Sequence, residues 1–250
     1  MSFRDFTGKL KKYGDFTSTE RLEFFLAALI MAFALSWNKW GTVEFDFWVG
    51  VANVLLALVM TLLVLGTHHA AHRIYGLYQD IKVEHKIWWY GAGIAFITAL
   101  LSGGNFVILA LTGTYISSLT VHRLGRYRYG PQVKDYAMIA LMGPLAVVVL
   151  AGIVKSLHLY NVLPLPETFV NQFFVLCMTF AAWNLFPLPP LDGSRIIFSS
   201  RLMYSFVIGA ALGYLLLIRF FNVYSWVWAL VIGIASLVLF YFAIESKKTK

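Results

Sequence analysis

Two short polar stretches interrupt the long apolar runs of this 250-residue chain, and both contain metal-binding side chains. The first, residues 68–72, reads His-His-Ala-Ala-His, so that His68 and His72 are four residues apart. On a helix this spacing places both imidazoles on one face, where they can bind one ion. The second stretch, residues 184–193, contains the carboxylate of Asp192. Two histidines and one carboxylate around zinc leave a fourth position open, which is typical of catalytic rather than structural sites.

The composition of the chain excludes an ordinary soluble domain, because 60% of its residues are hydrophobic and only 13% are charged. Apolar runs long enough to cross a bilayer recur from Leu22 to the C-terminus. We therefore predict one membrane domain over residues 22–244, between a charged cytoplasmic segment at 1–21 and a basic cytoplasmic tail at 245–250. The single cysteine, Cys177, excludes an internal disulfide framework.

The net charge of +8 is distributed as in a membrane protein rather than in a protein that binds nucleic acid. We predict six transmembrane helices with both termini in the cytoplasm, at roughly 22–38, 48–72, 135–155, 168–186, 203–218 and 223–244. All but three of the 20 Lys and Arg residues then face the cytoplasm, the exceptions being Lys39, Lys155 and Arg219. This asymmetry agrees with the positive-inside rule. The expected partner is a lipid bilayer, and a basic loop with Arg123, Arg126 and Arg128 lies beside its anionic headgroups.

The apolar segment 88–119 is less regular than the six predicted helices. A single crossing here would place the two basic termini on opposite sides, so we predict that the segment enters the membrane and returns. It reads as a short helix at 88–101, a break at 102–105 and a β-hairpin with strands at 106–111 and 114–118. The alternative is a short helix followed by a loop. The predicted fold class is an all-α polytopic membrane protein with about six transmembrane helices and a membrane-embedded re-entrant helix and β-hairpin, whose non-helical backbone must be covered by protein or face a water-filled cavity.

The sequence of the second polar stretch is long and specific. Residues 184–193 read Asn-Leu-Phe-Pro-Leu-Pro-Pro-Leu-Asp-Gly. They resemble, position for position, the Asn-x-x-Pro-x-x-x-Leu-Asp-Gly motif of the site-2 protease family of intramembrane zinc metalloproteases. The His-x-x-x-His of residues 68–72 lies where that family has His-Glu-x-x-His, and residues 143–146 resemble its Gly-Pro-Leu segment. The likeness covers about residues 48–200.

The resemblance implies a reaction as well as a fold. It implies one Zn²⁺ ion per chain within the membrane, reached by water from the cytoplasm, and hydrolysis of a peptide bond in or near a transmembrane segment of a membrane protein substrate. Carried over by position, His68, His72 and Asp192 would bind zinc, and Asn184 would position the substrate or a developing oxyanion. An exposed strand edge within 106–118 would take up the unwound substrate by β-augmentation.

His69 departs from the family pattern at an important position. The family has a glutamate there, which acts as the general base toward the attacking water. An imidazole can accept a proton near neutral pH, but it is bulkier and lacks the negative charge of a carboxylate. Three interpretations are open. His69 is an inactivating change, natural or engineered, in a protease; or it marks a natural pseudoprotease that binds transmembrane segments without cleaving them; or it is a substitute base or an extra ligand.

Two other classes of membrane protein are less compatible with the sequence. A transporter or channel should contain internal repeats or broken helices in matching halves, and we find no convincing repeat. A haem protein usually takes its axial histidines from facing helices. Here three histidines are clustered in one predicted helix, whereas His122 lies in the basic connector and His85 and His158 lie near the ends of spans.

Overall fold

The computed structural model describes residues 3–41, 44–119, 132–162, 164–221 and 226–246. This part of the chain is mostly helical and contains one two-stranded antiparallel sheet. The basic connector, with His122, Arg123, Arg126 and Arg128, lies outside the described residues. The chain divides into two compact units, Met1–Gln132 and Val133–Lys250, which we describe in turn.

The described residues of the first unit form four helices and two strands. In chain order these are α1 (Phe3–Tyr13), α2 (Ser18–Leu35), α3 (Phe47–Tyr78), β1 (Ile81–Ile87), α4 (Trp89–Leu101) and β2 (Thr112–Ser118). A capping box begins α2, because the backbone N–H of Glu20 donates to the Thr17 hydroxyl and that of Thr17 donates to the Glu20 carboxylate. The carboxylate of Asp46 caps α3 by accepting from two backbone N–H groups of its first turn.

The sheet pairs β1 with β2, so that Ile81 is opposite Ser118 and Ile87 is opposite Thr112. The predicted hairpin is therefore wrong in its pairing. A strand does lie at the predicted 114–118, but it begins at Thr112, and its partner is β1 rather than residues 106–111. The reason is the alternation in β1, where apolar residues and His85 are buried and the residues between them are charged. Such a strand can bury one face against a core and leave the other exposed. Residues 106–111 are apolar throughout and show no such alternation.

In the first unit, α2 packs against α3, α4 and β1, and α3 also packs against β1. Small residues allow α2 and α3 to approach, and the Thr61 hydroxyl donates to the Ala28 carbonyl across them at 3.2 Å. Gly76 has a similar role between α3 and β1. A β-carbon at Gly76 would collide with the Val83 side chain and would lie 3.0 Å from the Ile81 carbonyl oxygen.

The described residues of the second unit form five helices: α5 (Val133–Leu159), α6 (Glu167–Asn184), α7 (Asp192–Ser199), α8 (Arg201–Phe221) and α9 (Trp226–Phe240), followed by a π-helical turn (Tyr241–Glu245). Helix α5 packs against α6 and α7, and α8 pairs with α9. The hydroxyls of Ser205 and Ser236 each donate to the other residue's carbonyl at 3.0 Å. Gly209 and Gly213 of α8 face α9, so the small residues serve packing inside this unit.

Four helices are long and apolar enough to cross a membrane, as expected of an integral membrane protein: Phe47–Tyr78, Val133–Leu159, Arg201–Ile218 and Trp226–Glu245. They coincide with four of the six predicted spans. The other two predicted spans, 22–38 and 168–186, are occupied by α2 and α6, which have 18 residues each. The count of six crossings, the single domain and the cytoplasmic position of the termini stay predictions.

Candidate metal centre

Helix α3 brings the histidines of the first polar stretch together. The side chains of His68, His69 and His72 are 2%, 1% and 0% exposed. The helix continues through them because Ala70 and Ala71 are good helix formers and the preceding residues are apolar. The ring centroids of His68 and His72 are 4.4 Å apart, as expected for two residues one helical turn apart on the same face.

Asp192 is the first residue of α7 and is 2% exposed. The three prolines between Asn184 and Asp192 prevent α6 from continuing, because proline lacks the N–H that a helix interior requires. The chain restarts as α7 at Asp192, and Gly193 follows. A β-carbon at Gly193 would collide with the backbone carbonyl of Leu185, so the turn has room only for glycine here. A buried carboxylate is costly unless it is paired or coordinates a cation.

His68, His72 and Asp192 each offer one ligand atom, and these atoms lie within 4.8 Å of one another. All three side chains are buried. Imidazole nitrogens and a carboxylate oxygen are ordinary zinc ligands, and a set of three leaves one tetrahedral position open. The residues present therefore fit a zinc ion, and their role as its ligands stays a prediction.

His69 lies between the sheet and α2. Its ring stacks on that of His85, with centroids 3.8 Å apart and planes inclined by 13°. Its Nε2 atom is 3.4 Å from the hydroxyl oxygen of Thr112 in β2, and its ring meets that of Phe24 in α2 edge to face. The ring of His69 is thus held on several sides. Its role as a general base stays a prediction.

Asn184, the last residue of α6, is buried. Its side-chain amide donates to the Phe180 carbonyl of the preceding turn at 2.9 Å. This hydrogen bond occupies one of the two amide N–H groups. A role of Asn184 in positioning substrate stays a prediction.

His85, for which the sequence predicts no role, lies among the histidines of α3. Its Nε2 is 3.3 Å from Nδ1 of His72, and the two ring planes are nearly parallel. Burial, together with the neighbouring histidines and Arg73, lowers the pKa of His85 well below its ordinary value, so the ring is neutral at pH 7. The signal that could have found it is the alternation of β1, where His85 occupies an otherwise apolar phase.

A buried ion pair supports this part of α3. Arg73, next to His72, contacts the Glu20 carboxylate at 2.5 Å, and the two side chains are 5% and 6% exposed. The same carboxylate oxygen of Glu20 accepts from the backbone N–H of His85 at 3.2 Å. The ion pair therefore connects α2, α3 and β1 beside the histidines.

Comparison with known proteins identifies a distant relative. A protein of Methanocaldococcus jannaschii named "Putative zinc metalloprotease" is 23% identical over 210 residues, which cover 82% of this chain and 97% of that protein. No family model matches the chain. No solved structure matches it.

Proposed function

We propose that this chain is an intramembrane zinc metalloprotease of the site-2 protease type, impaired by a histidine at the position of its general base. The observation that carries the proposal is the buried group of His68, His72 and Asp192, whose ligand atoms lie within 4.8 Å of one another. The name of the archaeal relative and the four long apolar helices support it.

The proposed roles follow from the chemistry of each side chain. His68, His72 and Asp192 hold Zn²⁺, which when bound supplies Lewis-acid chemistry at a peptide carbonyl. Asn184 has one amide N–H engaged by Phe180, and its second N–H donates to the substrate or to a developing oxyanion.

The substrate in this proposal is a transmembrane segment of another membrane protein. Helical peptide bonds must unwind before hydrolysis, because their carbonyls are hydrogen-bonded within the helix. Within the described residues the sheet has two strands. The outer backbone groups of β1 are already bonded to the side chains of Glu20, Glu23 and Arg73, so the edge available to a substrate is that of β2. An unwound substrate adds to this edge by β-augmentation.

The second candidate function is a pseudoprotease that binds transmembrane segments without cleaving them. The packing of His69 favours it, because this buried ring packs against His85, Thr112 and Phe24 like a residue of the core. Loss of a positioned general base typically lowers a rate by about 10²–10⁴-fold.

Metal analysis of the purified protein tests the zinc site. We expect about one zinc per chain, lost in Asp192→Ala, because two histidines alone make an incomplete site. The control is Asp46→Ala, which removes an exposed carboxylate that caps α3. It should retain zinc. A wild-type protein without zinc, or one with a haem absorption band, contradicts the proposal.

Restoring the carboxylate tests the protease. We expect His69→Glu to cleave a membrane-embedded reporter substrate in liposomes about 10²–10⁴-fold faster than the wild type does. His69→Gln is the matched control, since glutamine has nearly the same shape as glutamate and cannot act as a base. A zinc-loaded His69→Glu variant that does not cleave the reporter overturns the protease hypothesis and favours the pseudoprotease.

A further inference from the structure

His85 lies beside a proposed zinc ligand and is not one of the three residues in the metal-binding group. Its Nε2 atom is 3.3 Å from Nδ1 of His72. The group of ligand atoms within 4.8 Å of one another contains His68, His72 and Asp192, and His85 is outside it. The contact therefore joins a proposed zinc ligand, His72, to a residue that is not a ligand, His85.

This contact determines which nitrogen of His72 can face a metal. An imidazole that binds a metal through one nitrogen usually donates a hydrogen bond from the other, and this bond fixes the ring and its tautomer. We propose that His85 is a positioning residue for zinc binding, whose Nε2 accepts a hydrogen bond from Nδ1 of His72 and directs Nε2 of His72 to the ion. This inference rests on the zinc site of the proposed function.

His85 is itself held firmly enough to orient its neighbour. Its backbone N–H donates to the Glu20 carboxylate at 3.2 Å, and in the sheet it is paired with Thr114. Its ring stacks on His69, with centroids 3.8 Å apart. A ring fixed at its backbone and on one face offers His72 an acceptor in a constant place.

The position of His85 in β1 also argues for a specific role. The other buried residues of this strand are Ile81, Val83 and Ile87. A histidine in that phase must bury polar nitrogens, which is costly unless they form hydrogen bonds. The contact with His72 offsets this cost at Nε2, while Nδ1 has no hydrogen-bond partner within the described residues. A strand serving the core alone would keep an aliphatic residue.

The test compares the zinc affinities of the wild type, His85→Phe and His85→Gln by chelator competition in detergent. We expect His85→Phe to bind zinc about 10–100-fold more weakly, as is typical when the hydrogen-bond partner of a ligand is lost. His85→Gln should recover most of the affinity, because its amide oxygen can accept the same hydrogen bond. His158→Phe, which removes a histidine from the last turn of α5, should bind zinc as the wild type does.

A spectroscopic measurement separates positioning from packing. In the zinc-loaded wild type, ¹⁵N NMR should find the proton of His72 on Nδ1. A proton on Nε2 of His72 overturns the inference, and so does equal zinc affinity in His85→Phe and the wild type. Weak binding in both His85→Phe and a folded His85→Gln overturns it as well, because the loss is then one of packing. A wild type that binds no zinc overturns the proposed function itself, which distinguishes the two failures.

Discussion

At the scale of single residues, Arg73 connects segments that are far apart in the sequence. Its guanidinium donates to the backbone carbonyls of Gly14 and Asp15 at 3.1 and 2.8 Å and to that of Val83 at 3.2 Å. It also pairs with Glu20, 53 residues away. Buried charges of this kind contribute less to stability than their contacts imply, but removing one partner leaves the other uncompensated.

We therefore expect Arg73→Met to lower the free energy of unfolding by about 3–5 kcal/mol, since Glu20 would remain buried without its cation. Denaturant titration in detergent micelles measures this. The control is Lys82→Met in the partly exposed pair of Lys82 and Glu84, where about 0–1 kcal/mol is expected. A similar cost for both variants would falsify this account of Arg73.

The residues in and around the candidate metal site differ in how far the sequence predicts them. Helix geometry alone predicts that His68 and His72, four residues apart, lie on one face. The motif around Asp192 predicts its role as a ligand. His85 and Arg73 could not be assigned in this way, because their roles depend on contacts with other elements. Only the pairing of β1 with β2 and the packing of α2 bring these contacts about.

At the scale of elements, the start of α7 depends on the glycine after Asp192. We expect Gly193→Ala to destabilise the protein by about 1–3 kcal/mol, because its β-carbon must displace the carbonyl of Leu185. Since the displacement moves the end of α7 that bears Asp192, zinc affinity should also fall. Thermal unfolding and chelator competition measure the two effects.

The control for Gly193→Ala is Gly8→Ala in α1, where a β-carbon would meet nothing within 4 Å. In this open helical position alanine should raise stability by about 0.5–1 kcal/mol. If both variants bind zinc as the wild type does, the close contact at Gly193 does not position Asp192.

The helices predicted best are those with the strongest physical signal. Long apolar runs identify α3, α5, α8 and α9, because hydropathy alone determines where a chain can cross a bilayer. The shorter elements α1, α7 and β1 were not predicted. Helices of 11 and 8 residues offer few turns for a periodic pattern. Strand β1 has only seven residues, and its partner β2 lies beyond α4 in the chain.

At the scale of the whole molecule, the sequence predicts the class of protein better than its internal arrangement. Composition and the four long apolar helices agree on a membrane protein. The association of residues 68–72 with Asp192 could not be derived from periodicity, because no local rule relates positions so far apart. The predicted topology places both at the cytoplasmic ends of spans, and the resemblance of two motifs to one family associates them. The buried His-His-Asp group supports this association.

The stacking of His69 on His85 makes substitutions at these two positions interdependent. A glutamate at position 69 has no ring to place against the imidazole, and it brings a carboxylate to a face that now makes an aromatic contact. The effect of a substitution at either position must then depend on the residue at the other. In evolutionary terms, a gain or loss of a carboxylate at position 69 changes which residues are favoured at position 85.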